Sequence, residues 1–371
     1  MINREKYYCA LPFRHIAIRP NGDAMPCCYF DTNQLPEDFN MGYKELFHNH
    51  PFMKQLRDDM LQGKRIEGCQ KCYIDEELQK GNSRRSDVLQ NVPVGQEPDT
   101  PILTYIDLAL SNACNNRCRF CGPELSTNWY ADAKSLGLPI HKGTINLKNY
   151  EDNVDFSKIK FIKLIGGEPL MEQEKFISVL ERCDIKGLHI NLITNATIKL
   201  NDRLLELFEQ AKELRIKLSI DAIGPLNDFI RKGSRWDVVK DTLDWFATTF
   251  QGTNHTLLVN SVATMYNTNT FFEAFDYLNN NHKMIQWDPD ALAGDADWLN
   301  PANLPEDAKD IIRERISKID HWFVPRLLDI INTPGDINRF IKKDKILNKL
   351  RNETWFEHNP ELYELLKEYY D

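Results

Sequence analysis

Apolar and polar positions change rhythm twice along the chain. Residues 1–85 hold few long periodic segments and several turn signals. HIAIRPNGDAMPC (15–27) alternates, breaks at Asn21-Gly22 and alternates again, which predicts a β-hairpin running into Cys27. PFMKQLRDDMLQGK (51–64) places Phe52, Leu56 and Met60 on one helical face. The stretch 86–101 reads as a linker, because VPVGQEPDTP (92–101) is rich in Pro, Gly and acid. From 102 to 292 short apolar runs alternate with helical periods. The runs are ILTYIDLAL (102–110), IKFIKLI (159–165), LHINLIT (188–194), RIKLSID (215–221), HTLLVNSVA (255–263) and MIQWD (284–288). EQEKFISVLERC and DVVKDTLDWFATTF exemplify the helices between them. Six β/α units with apolar strands predict a parallel α/β sheet curled into a partial (β/α)6 TIM-like barrel, with functional residues at the C-terminal strand ends. Residues 293–371 read as a helical C-terminal extension: EDAKDIIRERISKIDHWFVPRLLDII, INRFIKKDKILNKLRN and PELYELLKEYY. That extension shows no chemistry and reads as a cap on the barrel.

Composition narrows the function. The 371 residues are 42% hydrophobic and 27% charged, which suits a packed globule. The net charge of −9 disfavours broad polyanion binding, which leaves a local basic groove as the one route to nucleic acid. No apolar run reaches the length of a membrane span, and MINREKYYCALPF lacks a signal core, so a cytoplasmic location is expected. There the nine cysteines, at 9, 27, 28, 69, 72, 114, 118, 121 and 183, are expected as thiols. Eight of them lie in the first third of the chain, a clustering that points to metal chemistry. Cys183, isolated and late in a helix, reads as core.

The sharpest motif is ACNNRCRFCG (113–122), in which Cys114, Cys118 and Cys121 are spaced C-x3-C-x2-C directly after the first barrel strand. Structural zinc takes four ligands, and the loop holds no histidine to complete the set. An iron–sulfur cubane on three cysteines leaves one iron open for a ligand. IGGEP (165–169) ends the second strand, LITNAT (192–197) the third and LSIDAIG (218–224) the fourth.

These motifs resemble the radical S-adenosylmethionine (SAM) superfamily, whose signature after the first strand is C-x3-C-x-aromatic-C, with Phe120 in the aromatic slot. The resemblance implies that Cys114, Cys118 and Cys121 hold a [4Fe–4S] cluster whose open iron chelates SAM. Reductive cleavage would then give a 5′-deoxyadenosyl radical that abstracts a substrate hydrogen. It also implies that Gly166, Gly167 and Glu168 form the motif that binds the SAM amino group. Thr194, Asn195, Ser219, Asp221 and Arg231 match polar positions near SAM; each also reads as a solvated loop residue. A flavodoxin- or ferredoxin-type reductant is implied as partner.

A second set precedes the barrel. Cys9, twelve residues, Gly22, four residues and Cys27, followed by Cys69-Gln70-Lys71-Cys72, resemble the SPASM/twitch domains of the same superfamily. Cys9, Cys27, Cys69 and Cys72 can close one auxiliary [4Fe–4S] cluster. Zinc suits two-plus-two thiolates as well; the glycine spacing and the neighbouring barrel favour iron–sulfur. The set matches the shorter twitch form, with residues 1–85 as its domain, and it departs from the usual order by standing before the barrel. Cys28 reads as a structural thiol, as an alternative ligand to Cys27, or as a catalytic hydrogen-atom donor like those of radical SAM peptide epimerases. Three functions stand: an enzyme that oxidises, crosslinks or epimerises a peptide or protein side chain; an aminocyclitol-type small-molecule dehydrogenase; and a non-catalytic metal-binding protein.

Overall fold

The computed structural model describes residues 4–39, 43–77, 83–91, 100–140, 143, 154–291 and 296–370. The fold is α/β. Among the described residues one strand pair is antiparallel and the other pairs are parallel. The chain divides into two compact units. One comprises Met1–Asn112, Lys142–Leu192 and Leu200–Leu214; the other comprises Ala113–His141, Ile193–Lys199 and Arg215–Asp371.

In the first unit the strands are β1 (His15–Ile18), β2 (Ala24–Met25), β3 (Tyr105–Ala109), β4 (Phe161–Ile165) and β5 (His189–Thr194, whose last two residues fall in the second unit). Their order is β2-β1-β3-β4-β5. β1 and β2 form the expected hairpin, closed by Arg19 N–H to the Asp23 carbonyl and by Gly22 at φ +93°, a backbone that favours glycine. The hairpin does not stand apart as its own domain. β1 pairs in parallel with β3, His15 opposite Tyr105, because two strands alone bury too little to persist. Ile106, Leu108, Ile162, Leu164, Ile190 and Leu192 alternate along β3–β5 and are buried on one face. The intervening positions carry Tyr105, Asp107, Phe161, Lys163, His189 and Asn191 on the other. The helix Arg84–Asn91 occupies the start of the stretch read as a linker; Ser83 caps it by accepting the Ser86 N–H at 2.9 Å. The rest of that reading, residues 92–99, lies outside the described residues, as does the expected barrel end at 292.

In the second unit β6 (Glu213–Ser219, its first two residues in the first unit), β7 (Thr256–Ala263) and β8 (Gln286–Ala291) follow in order. The apolar stretch 306–331 is two helices, Glu306–Ile316 and Val324–Asn332, the second starting with Pro325 in its first turn. With the helices Ile337–Arg351 and Pro360–Leu366 they enclose a core rich in aromatics, among them Tyr266, Phe271, Phe323, Phe340 and Trp355.

Candidate metal and cofactor sites

The loop bearing Cys114, Cys118 and Cys121 is fixed before any cofactor is considered. Arg117 and Arg119 donate backbone N–H bonds to the Lys232 and Ile230 carbonyls at 2.6 and 2.9 Å. Trp129 Nε1 donates to the Cys118 carbonyl at 2.8 Å, and Ser126 Oγ to that of Asn116. Arg119 is wholly buried. Its guanidinium reaches Tyr266 Oη at 3.0 Å, Asp344 Oδ1 at 3.2 Å, Asn348 Oδ1 at 2.7 Å and Glu353 Oε1 at 3.0 Å, and lies 3.7 Å from the Phe229 ring centroid. Arg351, on the same C-terminal helix as Asp344 and Asn348, reaches Asp132 at 2.9 Å. The extension that showed no chemistry in the sequence therefore supplies the anchors of the cysteine loop. Sequence reading also passed over Asn116. It is fully buried, and neither amide atom has a partner among the described residues.

Of the expected polar positions in this unit, Asn195, Asp221 and Arg231 act on the loop. Asn195 Nδ2 lies 3.9 Å from Cys114 Sγ and donates to Asn115 Oδ1 at 2.8 Å; its own Oδ1 accepts from Thr197. Thr194 is buried, and its hydroxyl accepts the Ala196 N–H at 3.3 Å. Asp221 and Arg231 form an ion pair at 2.7 Å, and Arg231 lies 5.2 Å from the Phe120 ring centroid. Burial works against the Arg231 charge, and Asp221 and the Cys118 thiol more than offset it. Cys121 donates to Cys118, holding the Cys118 thiol below its ordinary range against burial. Ser219 is buried at the end of β6.

Gly166, Gly167 and Glu168 end β4 in the first unit. Gly166 has φ +141°, and a Cβ there would meet the Ser111 carbonyl oxygen at 2.6 Å, so the close turn admits only glycine. Gly167 N–H donates to that oxygen at 3.0 Å. Glu168 is buried, and Oε1 accepts the Leu170 N–H at 3.0 Å.

Cys9, Cys69 and Cys72 share one electrostatic neighbourhood with Arg85. Burial pushes the Cys9 thiol up to about 12 and raises Cys69 and Cys72. Cys27 follows β2, and its loop is tied to the Cys69 turn by Asp31 N–H to the Gly68 carbonyl at 2.9 Å. A Cβ on Gly68 would stand 2.2 Å from the Phe30 ring. Cys28 bonds to Cys27, and with burial this raises its thiol; Asp107 and Lys163 also act on it. Cys183 donates to the Val179 carbonyl at 3.6 Å and burial raises it to about 12, but it lies half-buried just past the helix Gln173–Leu180 rather than in the core. Among the described residues, no three Cys, His, Asp or Glu side chains surround one point as a single metal ion requires. A cubane is held differently, each cysteine meeting its own iron. Three thiols on one anchored loop and four on interlocked turns suit that chemistry.

The family comparisons agree with this division. The radical SAM superfamily profile matches residues 108–261, and that of an iron–sulfur cluster-binding domain, SPASM, matches residues 9–73. Curated relatives include the GTP 3′,8-cyclase of Helicobacter pylori (strain ATCC 700392 / 26695), 26% identical over 50% of this chain and 55% of its own length. That of Campylobacter lari is 27% identical over 38% and 42%. The chain thus spans about half, or less, of the length of these relatives. Similar solved structures are anSMEcpe with bound AdoMet (TM-score 0.38, 16% identity, 68% of this chain and 67% of that one) and Streptococcus suis SuiB bound to precursor peptide SuiA (TM-score 0.38, 17% identity, 74% and 62%). The two domains take SAM and [4Fe–4S] clusters, an auxiliary cluster included. The chain thus carries a radical SAM domain over residues 108–261, with a SPASM-type iron–sulfur domain before it.

Proposed function

We propose that this radical SAM enzyme modifies a peptide or protein side chain by oxidation, crosslinking or epimerisation. Cys114, Cys118 and Cys121 would hold the SAM-binding cluster, and Cys9, Cys27, Cys69 and Cys72 the auxiliary one. With SAM, the first cluster supplies the 5′-deoxyadenosyl radical when reduced by a flavodoxin- or ferredoxin-type partner. In the second unit Asn195 steadies the Cys114 loop, and the Asp221–Arg231 pair places a fixed cation over Phe120. In the first unit Gly166 and Gly167 bring backbone close to a ligand, and Glu168 offers a buried carboxylate to the SAM amine.

The observation that carries the peptide reading is Cys28. Its thiol does not sit in an apolar core. It lies beside Cys27, within the influence of Asp107, Lys163 and Arg84, on the charged face of the sheet. A thiol in that setting would be able to give a hydrogen atom to a substrate radical. The curated relatives favour a second reading, a radical SAM reaction on a nucleoside triphosphate.

The test is anaerobic reconstitution followed by 5′-deoxyadenosine assays with peptides, aminosugars and GTP. About eight irons per chain are expected, falling to about four in Cys69→Ala/Cys72→Ala. Peptide-dependent 5′-deoxyadenosine supports the proposal; formation with GTP alone replaces it with the nucleotide reading. An unchanged product and rate in Cys28→Ala would remove the hydrogen-donor role.

A further inference from the structure

The charged face of the first unit's sheet carries groups that neither thiol set uses. Asp107, Lys163 and Asn191 stand in register across β3, β4 and β5. Adjacent strands put them about 5 Å apart. Asp107 is engaged: Arg84 Nη2 lies 3.1 Å from both its oxygens, and His15 Nε2 lies 3.4 Å from one. Lys163 is half-buried and has no ion-pair partner among the described residues. Asn191 Oδ1 is buried and accepts no hydrogen bond among the described residues. Asp107 also attracts Lys163, but its close contacts are with Arg84 and His15, so the row keeps a net positive charge on Lys163 beside one unfilled acceptor. Both are costly to leave bare once water is displaced. Two residues back on the same face, Tyr105, Phe161 and His189 form a floor of rings, with centroids 5.7 and 4.4 Å apart.

We infer that Lys163 and Asn191 form a substrate subsite for a single carboxylate with a neighbouring N–H, such as the C-terminal residue of a peptide. Lys163 pairs with the carboxylate, and Asn191 Oδ1 takes the N–H. The inference rests on the peptide reading above and specifies the end of the peptide that binds. A triphosphate carries several charges and calls for several cations or a cradle of backbone N–H groups; this row supplies one ammonium.

The experiment uses the reconstituted full chain without reductant, so that binding is read without turnover. The reactivity of Lys163 toward an amine-acylating label is followed by mass spectrometry with N-acetyl-Ala-Gly, its C-terminal amide, and GTP. The free acid is expected to slow labelling of Lys163 while the amide does not. Asn191→Leu is expected to need about ten- to a hundredfold more free acid for the same protection. The acid–amide comparison needs no variant, so a misfolded Asn191→Leu leaves it intact. Equal protection by the amide, stronger protection by GTP, or none by the free acid overturns the subsite. Failure of the peptide reading appears separately, as 5′-deoxyadenosine formed with GTP and with no peptide.

Discussion

The two thiol sets are held by opposite means. The loop of Cys114, Cys118 and Cys121 is fixed by buried charge: Arg119 spends its guanidinium on four side chains, and Arg351 pairs with Asp132. The Cys9, Cys27, Cys69 and Cys72 region is fixed by short turns and rings, with Phe30 seated on Gly68 and Tyr7 edge-on to Tyr73 at 5.1 Å. Both sets contain raised thiols: the bond to Cys118 raises Cys121, and burial raises Cys9, Cys69 and Cys72. Metal binding must release a proton from each raised thiol, so higher pH favours assembly of either set.

The sharpest way to break this comparison is Arg119→Leu. It strands Asp344 in a buried network, while Glu353 keeps Lys232, and is expected to cost about 3–5 kcal/mol. Thermal unfolding would read the loss, and iron from the three-cysteine loop should fall while the SPASM share is kept. If SPASM iron fell equally, the two sets would not be independently anchored.

Asp107→Asn is expected to cost about 2 kcal/mol at neutral pH, by taking the carboxylate from Arg84 and His15. Burial by itself raises Asp107, but Arg84 and His15 outweigh it and hold the carboxyl below its ordinary value of 3.8. A depressed folded value means that its stabilisation is present above that ordinary value and is lost as pH falls below it. Denaturant melts should therefore show wild type and variant separated at pH 7 and converging under strong acid. A constant gap across that range would remove the ion-pair account.

Gly68→Ala changes one methyl group and is expected to cost about 1–3 kcal/mol, because Phe30 must give way. It should loosen the Cys27 and Cys69 turns and lower SPASM iron occupancy, with the three-cysteine loop unaffected.

What was legible in the sequence was local. The cysteine spacings, the Gly22 turn and all six barrel strands depend on neighbouring residues, and each lies where the pattern put it, with shifted ends. β8 runs on through Pro289 to Ala291, beyond the MIQWD reading, because a last strand tolerates a missing donor. The helix over 306–331 breaks after Ile316, and Pro325 was the sign of a new start. The partners of Arg119 were not legible, since nothing near RCRFC marks Asp344 or Asn348. Nor was the pairing of β1 with β3, which joins segments about ninety residues apart. Lys163 read as one polar position in an apolar strand; only register sets it beside Asn191.

Arg119 and Asp344 are 225 residues apart. At synthesis rates of about 5–20 residues per second, the cysteine loop leaves the ribosome roughly ten to forty-five seconds before its anchor. During that interval the loop has its backbone partners Ile230 and Lys232 within reach but lacks the C-terminal partners of its buried guanidinium. Cluster delivery to a nascent chain would meet a loop without that part of its scaffold. The helix Ile337–Arg351, rather than the cysteine motif, sets the earliest moment at which the site is complete.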